Sequence, residues 1–221
     1  FDADTGPLIR VELADSGKQS LARLMAGDAD FALMAATPLA MALTRLHHDG
    51  VPPETWPVVF ASIGLSSRNY HVIADAARGI EHIVDQLGAS ARRFPLQAMD
   101  SMTWLLVSRR GLIAREPHAV ERVLRGYAEA IDLLQRQPER AAALLDLPGD
   151  WLEDKRVAWK LALNWPVIAH MEAKLEWSAE RLGVSPLRVS PRIYIERGPM
   201  ERFRPGAVSL PIWIAPKQAE Q

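Results

Sequence analysis

Two hydroxyl residues stand where a polar or small-residue turn feeds a helical segment. One is Ser16, in Asp15-Ser16-Gly17-Lys18. The other is Thr37, in Ala36-Thr37-Pro38. A helix start carries unpaired backbone N–H groups and a partial positive charge, so such turns suit an anion. Ser16 offers a hydroxyl, and Gly17 lets a backbone or ligand approach closely. Asp15 or Ser16 can also simply cap the helix, and Thr37 can be either a cap or a ligand hydroxyl. A third polar turn, Ser66-Ser67-Arg68-Asn69, follows an apolar run. These groups suit ligand contact or capping; none is a nucleophile beside a base.

Catalytic and metal chemistry finds little support. The chain has no cysteine, which removes disulfides, thiol catalysis and cysteine metal sites together. His47 and His48 are adjacent, so on a helix they diverge by about 100° and do not chelate one ion easily. His71, His82, His118 and His170 show no ligand spacing. No Gly-x-Ser-x-Gly elbow, phosphate loop or dinucleotide fingerprint is present. Asp28 and Asp30 span a helix-to-strand junction and suit that role better than an acid/base pair. We therefore expect no metal, no cofactor and no enzymatic activity. Trp104, Trp159, Trp165 and Trp177 could wall an apolar site, although tryptophan on a helical face usually packs the core. Trp165 is the strongest of them, because Asn164-Trp165-Pro166 interrupts a helical pattern.

The elements that must position these residues alternate. Leu8 to Leu13 is an extended apolar run. A short amphipathic helix follows and ends at Gly27. Phe31 to Ala35 is a second apolar run, and Thr37-Pro38 opens another helix. Val58 to Ile63 suits a buried parallel strand. Tyr70 to Ala74, Phe94 to Leu96 and Trp104 to Ser108 read as further strands. Pro117 opens a long helix on whose face Val120, Val123, Leu124, Tyr127, Ile131 and Leu134 recur. Helices are expected from Pro138 through Leu145, from Trp151 to Leu163, and from His170 to a cap at Gly183. The tail after Pro205 reads as extended.

The composition is 48% hydrophobic and 24% charged, as in ordinary globular proteins, and the formal net charge is −1. That charge makes no case for nucleic acid or an anionic membrane as partner. No run approaches the ~18 apolar residues of a membrane span. The pairs Arg92-Arg93 and Arg109-Arg110 read as solvated surface.

The order of elements resembles the first lobe of the type II periplasmic solute-binding proteins. Within them it resembles the aliphatic-sulfonate, taurine and nitrate-binding branch and its pyrimidine-precursor-binding relatives. The resemblance is carried by Val11-Glu12-Leu13, by Leu24-Met25-Ala26-Gly27-Asp28-Ala29-Asp30-Phe31-Ala32 and by Ala36-Thr37-Pro38. Two later segments agree, Pro117 to Gln137 and Arg204-Pro205-Gly206. The start, Phe1-Asp2-Ala3-Asp4, resembles the end of that family's first helix, so we expect an earlier strand and helix upstream.

The resemblance implies an α/β fold: a mostly parallel sheet flanked by helices, with a helical C-terminal portion. It implies that residues 1–221 form lobe one, with the second lobe missing around residues 75–93; a naturally single-lobed relative is the alternative. A βαβ unit alone takes ~30 residues, so a lobe does not fit there. The implied function is extracytoplasmic capture of a small anionic or zwitterionic solute for an ABC transporter permease, by a monomer placed in the periplasm. The implied ligand contacts are Ser16, Gly17, Lys18, Ala36, Thr37, Pro38, Ser67 and Asn69, joined by Trp165. A ligand-sensing module of a membrane signalling protein, or an enzyme on the same fold, stays open. The family's pyrimidine synthases use a cysteine-rich motif, which this chain lacks.

Overall fold

A computed structural model of the chain describes residues 9–67, 101–146 and 157–210. Five strands form a sheet with order β1-β3-β2-β4-β5: β1 Phe31–Ala35, β2 Pro57–Ser67, β3 Ser101–Arg109, β4 Val157–Asn164 and β5 Val208–Ser209. The helices are α1 Gly17–Ala26, α2 Ala36–His48, α3 Arg110–Arg115, α4 Pro117–Arg136, α5 Pro138–Leu144, α6 Trp165–Leu182 and α7 Gly198–Phe203. The fold is α/β, a sheet flanked by helices, as expected.

Strand direction departs from the expectation of a mostly parallel sheet. The pairs β1–β3, β2–β3 and β2–β4 are antiparallel. Among the described residues only β4–β5 and an isolated bridge between Val59 and Ile195 are parallel. The signal read as parallel was the unbroken apolar run Val58 to Ile63. That run reports burial on both faces, and a central strand is so buried whichever way its neighbours run. In β2, residues 58–61 are fully buried, and β2 is the middle strand.

α1 begins with a capping box. Ser16 is the N-cap and its Oγ accepts from the Gln19 N–H at 3.3 Å, while Gln19 Oε1 accepts from the Asp15 N–H at 2.6 Å. The helix ends at Gly27, at φ 88°, where the left-handed conformation costs glycine little. Leu21 and Leu24 bury its inner face against a core that includes Leu39, Leu43, Phe60, Leu105 and Val107. α4 buries Val120, Val123, Leu124 and Ile131, the stripe its sequence period predicts.

Two expected elements differ. Residues 9–14 form no strand, and Ile9, Val11 and Leu13 are exposed, Leu13 at 94%. No described strand pairs with them; only Glu12 is anchored, by Arg23 of α1 and by Arg10 at 2.7 Å. Both guanidiniums hold the Glu12 carboxyl below its usual range, Arg23 foremost. The helix expected from Trp151 to Leu163 is instead strand β4 over its described part. Leu161 and Leu163 are buried, and pairing with β2 and β5 overrides helical propensity. Consequently Asn164-Trp165-Pro166 is a strand-to-helix turn, and α6 starts at Trp165, five residues before the expected His170. Tyr70 to Ala74 and Phe94 to Leu96 lie outside the described residues.

Candidate functional site: two helix starts at one end of the sheet

β1 passes into α2 with no intervening loop: Ala35 ends the strand and is the helix N-cap. Ala35 has no side chain able to cap, so the first N–H groups of α2 receive no side-chain partner. Thr37 is therefore the second residue of the helix and not its cap. Its hydroxyl makes no hydrogen bond among the described residues and is half-buried.

The start of α1 lies against this point. A Cβ placed on Gly17 would meet Pro38 Cγ at 2.9 Å and Met34 Cβ at 3.2 Å. Two turns 21 residues apart in sequence are thus brought into van der Waals contact. Ser16, Gly17, Lys18, Ala36, Thr37 and Pro38 share one place, with two helix N-termini side by side. Their roles there differ. The Ser16 hydroxyl is spent on the cap, Ala36 is buried and offers only its backbone, and Pro38 packs on Gly17. Lys18 is exposed, and Thr37 holds the uncommitted hydroxyl.

The other nominated residues are not joined to them. Ser67 ends β2, paired with Ser101 at the start of β3, so the chain leaves and re-enters the sheet at neighbouring positions. Asn69 lies outside the described residues. Trp165 is 52% exposed at the start of α6. It follows the end of β4 that lies away from Trp159, and it is Trp159 that shares a cross-strand row with Gly64, Trp104 and Ala35. Trp104 and Trp159 pack against the core, as the usual role of tryptophan predicts.

Several polar residues turn out to hold the scaffold. Arg109 reaches Asp30 at 3.1 Å and the Leu24 carbonyl at 3.1 Å, and the Ser108 hydroxyl donates to the Asp30 carbonyl at 2.8 Å. Asp30 is thereby a structural partner. Arg110 donates to Glu196 at 2.6 Å and to the carbonyls of Arg192 and Ile193 at 3.0 and 2.9 Å. This corrects the reading of Arg109-Arg110 as solvated surface; an Arg-Arg pair carries no local signal of the remote carbonyls that it ties.

Sequence spacing also missed a buried pair. Thr103 Oγ1 and His170 Nδ1 are hydrogen-bonded across β3 and α6, and both residues are buried. Burial, and then the nearby Lys174 ammonium, hold the imidazole down to about 4, so it is neutral at pH 7. His170 Nε2 and the Tyr194 hydroxyl are buried without hydrogen-bond partners. Burial, with Glu172 nearby, pushes the Tyr194 phenol up. Among the described residues no three His, Asp or Glu side chains gather to hold a metal, and no helix is long and apolar enough to cross a membrane.

No protein-family model matches the chain, and no curated protein matches it. Among solved structures it is similar to the periplasmic aliphatic sulphonate-binding protein SsuA from Escherichia coli. The identity is 15% and the TM-score 0.48, over 81% of this chain and 84% of that one. It is also similar to the alkanesulfonate-binding protein SsuA from Xanthomonas axonopodis pv. citri bound to MOPS. There the identity is 15% and the TM-score 0.49, over 83% of this chain and 86% of that one.

Proposed function

We propose that the protein is the extracytoplasmic solute-binding component of an ABC transporter. Its solute is small and anionic or zwitterionic, of the sulfonate, taurine, nitrate or pyrimidine-precursor class. The observation that carries this reading is the contact between the starts of α1 and α2, Gly17 against Pro38. It sets two helix N-termini, the free Thr37 hydroxyl and the exposed Lys18 together with no acidic residue in the first turn of either helix. Such a group holds negative charge through N–H donors and dipoles, and it breaks no bond.

Residues 1–221 serve as lobe one, with a second lobe missing around residues 75–93. The pairing of Ser67 with Ser101 supports an attachment point for it, since both chain ends meet there. Capture is then hinge closure of two lobes over the solute. Ser67, Asn69 and Trp165 stay as proposed further contacts of the solute. The protein works as a monomer, delivers to a permease, and needs no cofactor.

The test is a thermal-shift screen of the full-length protein against alkyl sulfonates, taurine, nitrate, bicarbonate, pyrimidine precursors and amino acids. A cognate solute at a hundredfold excess over Kd stabilises by about 2.7 kcal/mol. A shift with one class and no turnover supports the reading. Silence across the panel, or turnover of a bound solute, overturns it.

A further inference from the structure

A cavity of about 150 Å³ opens between the sheet and the start of α6, lined by Ser62, Gly64, Thr103, Lys160, Asn164 and Val167 among others. It shares no residue with the pair of helix starts. Ser62 stands directly across from Ala162 on β4, and Lys160 and Asn164 follow at alternate positions, so one face of the strand pair builds its floor.

Its chemistry is one-sided. Lys160 brings a cation to the rim, and no acidic side chain lines the cavity. The first turn of α6, an 18-residue helix, also has no acidic residue, and Asn164 at its N-cap makes no side-chain capping bond. The N–H groups of Trp165 and Val167 precede the first intrahelical bond, while Pro166 has none to offer.

A second, independent observation comes from β2. Ser62 is only 4% exposed, lines the cavity, and makes no side-chain hydrogen bond among the described residues. Its hydroxyl is therefore free to donate into the cavity, while its neighbour Thr103 is already engaged by His170. An unspent donor on the wall of an acid-free recess with a lysine at its rim is suited to an acceptor that arrives from outside.

We infer that this cavity is a subsite for a small oxyanion head group, a sulfonate, carboxylate or phosphate. The Ser62 hydroxyl and the first-turn N–H groups of α6 donate to its oxygens, and Lys160 balances its charge. The inference rests on the solute-binding reading and adds a second oxyanion site, apart from the one at Thr37.

Titration calorimetry of the full-length protein with methanesulfonate, acetate and inorganic phosphate tests it. Dimethyl sulfone serves as the uncharged isostere of the first. The favoured head group binds and dimethyl sulfone does not. Lys160→Gln and Ser62→Ala each weaken that binding by about tenfold or more, because each removes a bond to a charged acceptor. Thr37→Ala leaves it within about twofold, as expected of a separate site. Lys160 is exposed and Ser62 makes no bond to lose, so neither variant impairs folding, which an unchanged melting temperature verifies. Equal binding of dimethyl sulfone, or unchanged affinity in both variants, overturns the subsite. If a solute found in the thermal-shift panel then loses affinity only in Thr37→Ala, the solute-binding reading stands without the subsite. If no panel member binds, that reading fails on its own evidence.

Discussion

Gly17 and Pro38 are in direct contact: a single added methyl on Gly17 would fall 2.9 Å from the Pro38 ring. The proline ring is rigid, and Met34 Cβ blocks the other side at 3.2 Å. Alanine normally favours a helix over glycine by up to about 1 kcal/mol. Here overpacking outweighs that gain. Gly17→Ala is expected to destabilise by about 1–2 kcal/mol, read by urea denaturation. It should also weaken solute binding, since the two helix starts are pushed apart. A stabilised Gly17→Ala protein would contradict the packing.

Ser16 and Thr37 separate scaffold from site. Ser16→Ala loses a cap and is expected to cost about 1 kcal/mol. Thr37→Ala breaks no hydrogen bond among the described residues and should stay within about 0.5 kcal/mol of the parent protein. The affinities for a solute identified in the panel should run the other way, with Thr37→Ala the larger loss. Equal effects on stability would remove the distinction.

Arg110 is expected to matter more than its half-exposure implies. Arg110→Ala strands two carbonyls and Glu196, and should cost about 2 kcal/mol. Arg125→Ala removes an exposed i,i+4 pair with Glu121 and should cost under about 0.5 kcal/mol. Paired denaturation curves check the contrast.

His170 makes stability depend on pH. Its folded pKa, about 4, lies below the ordinary histidine value of 6.5, so the unfolded chain binds the proton more readily. Stability from this group is therefore complete above about pH 6.5 and falls as the pH drops toward 4, by up to about 3 kcal/mol. His170→Gln should flatten the denaturation midpoint over that window. An unchanged slope would mean that the imidazole is not held neutral.

Much of the first 50 residues was legible, because their signals are local. Ser16 reads as a possible cap, Gly27 as the helix end, and the run Phe31 to Ala35 as a strand. The site was legible as two turns, Ser16-Gly17 and Thr37-Pro38, but their contact is tertiary and no spacing announces it. Strand direction failed for a related reason: Val58 to Ile63 encodes burial and not the sense of its neighbours. β4 was mistaken for a helix because Leu161 and Leu163 are buried through pairing with distant strands. Trp165 was singled out for a real break in the chain, yet that break opens α6 away from Thr37. Thr103 and His170 meet across 67 residues, a distance at which composition and periodicity are silent.

The pairing of Ser67 with Ser101 has an engineering meaning. The chain departs and returns through partners in adjoining strands, so the ends of whatever lies between need span only about 5 Å. Such a junction accepts cargo of almost any length whose own termini are close together, and the core strands need not shift to receive it. An exchange between Ser67 and Ser101 whose own ends lie that close should therefore leave the sheet beneath undisturbed.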